Sequence, residues 1–238
     1  MKKVMPYIQV LSCFVIFYLL FSFASTRNDH RKIKAATIDF TGDSSLFITQ
    51  EEVNKLLIQN HASVTNITKD ALDLNKMEDV LLHNQMIKEA EVYVTIDGEL
   101  KVHVAQRKPL ARVTGSESFY IDDEGKKMPL SKNFTARVPL IKGNITQENQ
   151  KEVFKILQKI SSDEFLRESV VGILVNNNDF VLRLRANNFK VQLGSATELD
   201  LKIKKLKAFY QKALKDNSLD AYSWVNLKFS NQVVCTKK

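Results

Sequence analysis

Glycine is scarce in this chain, and where it occurs it stands alone. The 7 glycines, at 42, 98, 115, 125, 143, 172 and 194, are never closer than ten residues. Neither a GxGxxG dinucleotide loop nor a GxxxxGK phosphate loop can be built from them, because both need clustered glycines to bring backbone close to phosphate. The 2 cysteines, Cys13 and Cys235, lie near opposite ends, so no intrachain disulfide is expected and a folded domain must be held by its core. With 4 prolines and 44% hydrophobic residues over 238 positions, a collagen-like, polytopic or generally disordered chain is excluded. The histidines, 30, 61, 83 and 103, are dispersed, no Ser sits in GxSxG and Cys235 has no evident His partner. No catalytic residue, metal site or cofactor is therefore expected. The net charge of +8 points to an anionic partner and names none.

One local absence outweighs these averages. No charged residue occurs between Lys3 and Arg27, and Tyr7–Ala24 reads YIQVLSCFVIFYLLFSFA. Eighteen helical residues span about 27 Å, close to the hydrocarbon thickness of a bilayer. A cleaved signal is the rival reading, since Ser22-Phe23-Ala24 resembles a small-x-small site, but the apolar stretch is long for one. The expectation is a cytoplasmic tail at 1–6, a transmembrane helix at 7–25 and a basic linker at 26–34, with the rest outside the cytoplasm. Long domains translocate largely regardless of flanking charge. Arg27–Lys34 can rest against anionic lipid heads. The sequons at Asn66, Asn133 and Asn144 are about as many as the composition produces by chance.

The exported part divides by pattern into two modules. Thr37-Ile38-Asp39-Phe40 alternates as a short strand, and Thr49-Gln50-Glu51-Glu52 forms a capping box ahead of Val53, Leu56 and Leu57. A second helix is expected near Asn75, with Glu78 three residues on and Met77, Val80 and Leu81 on its apolar face. Val92, Val94 and Ile96 alternate with polar positions, Asp97-Gly98 turns the chain, and Leu100, Val102 and Val104 alternate again. Asp-Gly suits a type I′ turn.

This strand-helix-helix-strand-strand order resembles the POTRA domain. Leu74–Leu81, then Ile87–Val92, looks like the POTRA helix and strand of the FtsQ/DivIB family of bacterial division proteins. Val104-Ala105-Gln106-Arg107-Lys108-Pro109-Leu110-Ala111-Arg112 is similar to that family's "ER-P-A-R" junction, with Gln106 where Glu is commoner. Phe119–Gly125 resembles its "ly-D-x-x-G" hairpin, and Val138–Gly143 its short "lP-l-G" segment. Asp122-Asp123-Glu124 reads as turn chemistry rather than a metal or acid/base cluster, its carboxylates being adjacent instead of convergent. Further on, Thr146–Ile160 reads as a helix. Phe180–Arg185, Asn187-Asn188 and Phe189–Leu193 read as a hairpin turning on left-handed Asn. Thr197–Asp200 opens a last helix, with Leu199, Ile203, Leu206, Tyr210 and Leu214 inward and Lys202, Lys204, Lys205 and Lys207 solvated. Trp224 reads as an apolar anchor.

The resemblance implies an α+β chain: a single transmembrane helix, a β-α-α-β-β POTRA domain at 35–113, and a β-rich domain with flanking helices at 114–238. It also implies a non-enzymatic scaffold of the divisome in the inner membrane, periplasmic at the septum. Its partners would be small single-span coiled-coil division proteins (FtsB-like and FtsL-like), with no nucleic acid and no small-molecule substrate. Tyr222–Cys235 resembles the family's closing strand pair, whose last edge strand takes up a partner's strand. By position Phe229, Ser230, Asn231, Gln232, Val233, Val234 and Cys235 would carry that contact, Asn231-Gln232 as the turn and Val233–Cys235 as the edge. The same residues suit a merely structural final hairpin. A periplasmic cell-wall-binding or envelope-assembly POTRA protein is the alternative.

Overall fold

The charge-free N-terminal run folds as one unbroken helix, α1 (Met5–Asp29). The computed structural model describes residues 5–29, 32–42, 47–58, 68, 72–115, 117–186 and 188–238. The side chains described on α1 run from Leu11 to Arg27, and among the described residues no helix is long and apolar enough to cross a membrane. The chain divides into two units, Met1–Gln106 and Arg107–Lys238.

In the first unit, β1 (Ala35–Thr41), α2 (Gln50–Ile58), α3 (Leu74–Leu82), β2 (Ile87–Val94) and β3 (Glu99–Gln106) follow the expected order. β3 lies centrally, parallel to β1 and antiparallel to β2. The capping box closes as read. Thr49 Oγ1 accepts from Glu52 N at 3.2 Å and Thr49 N donates to Glu52 Oε2 at 2.9 Å, so two orphan donors of α2 are satisfied reciprocally. The second helix begins at Leu74, beside the expected Asn75. Asp73 caps it by accepting from Lys76 N at 3.0 Å, while Glu78 reaches β2 and accepts from Val92 N at 2.7 Å. Val53, Leu57, Met77 and Leu81 pack on Leu100, Val102 and Val104.

The Asp97-Gly98 turn is not type I′. Among the described residues Asp97 does not take positive φ, whereas Gly98 does, at +85°. Gly98 N donates to Thr95 O at 3.1 Å and Thr95 N to Glu99 O at 2.9 Å. That is a three-residue loop with glycine at the left-handed position. Ile96, read as part of the apolar alternation, is thereby carried into the loop and exposed.

Gln106 has a local reason to be an amide. Its Oε1 accepts from Phe47 N at 2.9 Å and its Nε2 donates to Ile48 O at 3.3 Å, fastening the chain ahead of α2 to the end of β3. A carboxylate could accept the first bond but not donate the second.

The second unit begins at Arg107, not after residue 113. Pro109–Thr114 is β4, and its ladder partners are β5 (Phe119–Asp122) and β7 (Leu140–Gly143). It therefore belongs to the second sheet, whatever its place in the sequence. With β6 (Lys127–Met128), β8 (Val170–Asn176), β9 (Asp179–Leu184), β10 (Lys190–Gly194), β11 (Tyr222–Asn226) and β12 (Val234–Lys237), the order is β12-β11-β10-β9-β8-β7-β4-β5-β6. Val113, Ile141, Ile173, Leu182, Val191 and Val225 form one buried row across the sheet. Val153, Ile156, Leu157 and Ile160 of α4 (Gln150–Ser162) and Ile203 and Leu206 of α6 (Leu199–Lys215) join them in one core.

β8 escaped the sequence reading, although Val170–Val175 is an apolar run bounded by Asn176–Asn178, as a strand buried within a sheet should be. The left-handed Asn of this region is Asn177 (φ +53°), between β8 and β9. Of the expected Asn187-Asn188 turn, Asn187 lies outside the described residues. α4 starts at Gln150 rather than Thr146. Asn149 stands at its N-cap with no side-chain bond to the helix, its Oδ1 accepting instead from Thr146 N at 2.9 Å.

α6 departs from its expected faces. Leu214 is 57% exposed, Ala213 is buried in its place, and Lys202 is buried instead of solvated. Lys207 Nζ also has a partner, Asp163 Oδ2 at 2.7 Å. Asp163 caps the short helix α5 (Glu164–Ser169) by accepting from Leu166 N at 3.2 Å. Burial by itself would raise the Asp163 carboxyl. The Lys207 hydrogen bond, the Leu166 amide and the charges of Lys207 and Lys159 outweigh it and hold the group below its ordinary value of 3.8. A depressed folded-state value means stability that is present above the unfolded value and lost as pH falls through the folded one. Asp163→Ala is expected to cost the second unit about 1–2 kcal/mol at pH 7. Urea unfolding followed by Trp224 fluorescence checks this, and the gap from wild type should narrow below pH 3.8.

Candidate functional site

β12 closes one side of the second sheet. It runs antiparallel to β11, with Val234 opposite Asn226, Cys235 opposite Val225, Thr236 opposite Trp224 and Lys237 opposite Tyr222. β11 in turn lies parallel to β10, with Trp224 beside Lys190. Among the described residues no strand pairs with the far side of β12, so the outward N–H and C=O groups of a four-residue strand remain open to an incoming chain. The opposite edge, β6, has only two residues.

The expected edge residues fall into three places. Val234 and Cys235 lie in the strand, which starts at Val234 and extends to Lys237, beyond the Val233–Cys235 span read from sequence. Val233 precedes the strand and packs against the core. Phe229, Ser230, Asn231 and Gln232 form an exposed connection rather than a two-residue turn. Phe229 is 47% exposed, Val234 39% and Trp224 37%, so an apolar rim borders the open edge. Trp224 is not the buried anchor expected of it. Val225 takes that role, and Lys190 Nζ sits 5.2 Å from the Trp224 ring centroid on the outward face. The parity of a strand decides this, since neighbouring residues point to opposite faces.

The edge rests on firm ground. Phe189, Phe209 and Tyr222 make a chain of edge-to-face contacts with centroids 5.9 and 5.3 Å apart, tying β11 to α6. Leu227 is buried and its N–H donates to Gln192 O at 2.9 Å. Ser223 Oγ donates to the carbonyls of Thr236 and Lys237. Burial pushes the half-buried Cys235 thiol up, which keeps it protonated and a poor nucleophile.

The other candidates do not converge. Asp122 is fully buried and wholly engaged. Its Oδ2 takes a 2.7 Å bond from Arg107 Nη1, and its Oδ1 accepts from Glu124 N and Lys126 N at 3.0 and 2.7 Å. That is a turn fastened from inside, with Gly125 at φ +79°. No group of three metal-ligating side chains occurs among the described residues. His103 instead stacks on Tyr93, with Nε2 3.0 Å from the phenol oxygen. A cleft of about 410 Å³ where β4 and β7 end is lined, among the described residues, by the one carboxylate of Glu117 together with Lys127. Sequence reading missed the lysines that brace the loop before β12. Lys205 Nζ donates to Phe229 O and Lys228 Nζ to Asp179 Oδ2, each at 2.6 Å. A lysine run carries no local sign of what it will meet.

Comparison with known families matches the two units separately. Residues 37–105 match the POTRA-like domain, and residues 108–236 match the description "FtsQ/DivIB, C-terminal related". A comparison with curated proteins gives no match. The second match runs from β4 into β12 and takes in more than half of the chain. With a POTRA-like unit ahead of a β-domain that ends in an open edge strand, the chain belongs to the FtsQ/DivIB family of cell-division proteins.

Proposed function

We propose that this protein is a non-enzymatic scaffold of the division machinery, anchored in the inner membrane by residues 7–25 with its two folded units in the periplasm. The edge strand β12 and the connection before it dock a segment of a small single-span coiled-coil division protein, of the FtsB-like or FtsL-like kind. Through that contact the protein links division partners and helps control septal wall synthesis. The observation that carries this reading is the open side of β12 next to the exposed Phe229, Val234 and Trp224. Main-chain pairing along an edge supplies affinity, and alternate side chains supply selectivity. The charge-free run Tyr7–Ala24, followed by the basic residues Arg27, Lys32 and Lys34, supports the anchor.

Affinity enrichment from crosslinked membranes tests it, using the full chain, a chain lacking residues 229–238, and Val234→Arg. The point variant leaves the fold of β12 in place and puts a charge on the rim. Recovery of the single-span division proteins is expected to fall about tenfold or more with either change. Undiminished recovery with Val234→Arg in a folded protein, or of the same partners without residues 229–238, would overturn the docking site.

A further inference from the structure

We infer that Lys205 is a positioning residue for the docking edge: from α6 it holds the loop that sets where β12 begins. This rests on the reading that β12 docks a partner, but it makes a claim about the unliganded protein that is tested separately. Between buried Leu227 and the start of β12 at Val234 the chain leaves the sheet, and residues 228–232 are exposed. Such a segment has many conformations to lose, and its freedom is inherited by whatever follows it.

Two lysines restrain it. Lys228 Nζ reaches Asp179 Oδ2 at 2.6 Å, and its side chain packs over Gly194, with Cγ 2.8 Å from where a glycine-replacing Cβ would lie. Lys205 Nζ donates to Phe229 O at 2.6 Å and Ser230 O at 3.3 Å. An ammonium has three donors and no acceptor, so it can gather two successive carbonyls where a neutral amide would serve one. The charge strengthens each bond.

The base of this strut is rigid. Lys205 is flanked by Ile203 and Leu206, 3% and 0% exposed. One turn earlier Lys202 performs a related task, its buried Nζ donating to Ser195 O at 2.8 Å, at the start of the β10–α6 connection. Residues three apart on a helix share a face, so one face of α6 ties down both loops. Lys204, between them in sequence, points to solvent.

Amide hydrogen exchange of the full chain without partner tests the strut, comparing wild type, Lys205→Met, Lys205→Arg and Lys204→Met. In Lys205→Met, amides of residues 229–237 are expected to exchange about five- to tenfold faster, with α6 and β10 unchanged. Lys205→Arg should recover part of the protection, and Lys204→Met should match wild type. Unchanged exchange at 229–237 in Lys205→Met, or equal acceleration throughout α6 and β10, would overturn the inference. Partner recovery is measured in parallel. If removing residues 229–238 leaves recovery intact while Lys205→Met speeds exchange, the docking reading fails and the strut stands. If that removal abolishes recovery while exchange in Lys205→Met is unchanged, the strut fails and the docking reading stands.

Discussion

Asp122→Ala is expected to destabilise the second unit by about 3–5 kcal/mol. The carboxylate is fully buried and serves three donors at once, Arg107 Nη1 and the N–H groups of Glu124 and Lys126. Alanine removes all three bonds and strands two backbone donors in a place where Asp122 excluded water. Arg107 is left with Glu124 Oε2 at 3.8 Å, outside hydrogen-bond range. Asp122→Asn separates the contributions. An amide oxygen can still accept from Glu124 and Lys126, so that variant loses the charge pairing and should cost about half as much. The chain has one tryptophan, Trp224, in β11, so its fluorescence during urea unfolding reports the second unit alone. Equal stability of wild type and Asp122→Ala would mean that the buried pair contributes nothing net.

Gly143→Ala should be comparably damaging for a different reason. Gly143 ends β7 at φ +117°, a conformation closed to residues with a side chain, and an added Cβ would lie 2.0 Å from Val175 O. Neither atom can yield, because Gly143 and Val175 are partners in the parallel β7–β8 ladder. The strand must shift or the ladder must break, at a cost of about 3 kcal/mol or more. Gly172→Ala is the informative control. Its Cβ would meet Leu140 O at 3.2 Å, and its φ is not in the positive range, so a slight adjustment suffices and the loss should stay near 1 kcal/mol. A thermal melt that ranks the two variants the other way round would contradict this account. The same geometry gives a physical reason for the glycine that closes the "lP-l-G" segment.

What could be read without coordinates shares one property, namely that its cause lies within a few residues. The Thr49/Glu52 box forms because both partners are three positions apart on one helical turn. The β2–β3 hairpin was legible because alternation and a glycine stand side by side. Even there the turn class was misread, since the number of loop residues depends on where the ladder pairs, not on the dipeptide. The edge strand was placed within one residue at its start because Tyr222–Cys235 resembles the closing strand pair of the FtsQ/DivIB family. Which face Trp224 would take was not legible, because shifting the register of β11 against β10 by a single residue reverses every side chain.

By itself the sequence determined the order of elements in the first module and the helical N-terminal run, and its motifs carried the resemblance to the family. The elements follow from periodicity and capping, which act over one or two turns of chain, and the family from resemblance of short motifs. Tertiary structure alone decided that Pro109–Thr114 joins the second sheet, that Val170–Asn176 supplies a central strand, and that Asp122 is buried under Arg107. It also turned the lysines of α6 from a solvated face into struts. Ladder partners up to tens of residues apart and the burial of charge depend on what the fold brings alongside. The scarcity of glycine acquires its meaning at that level as well. Gly98, Gly125 and Gly143 stand apart in the chain because each serves a single turn or a single close approach.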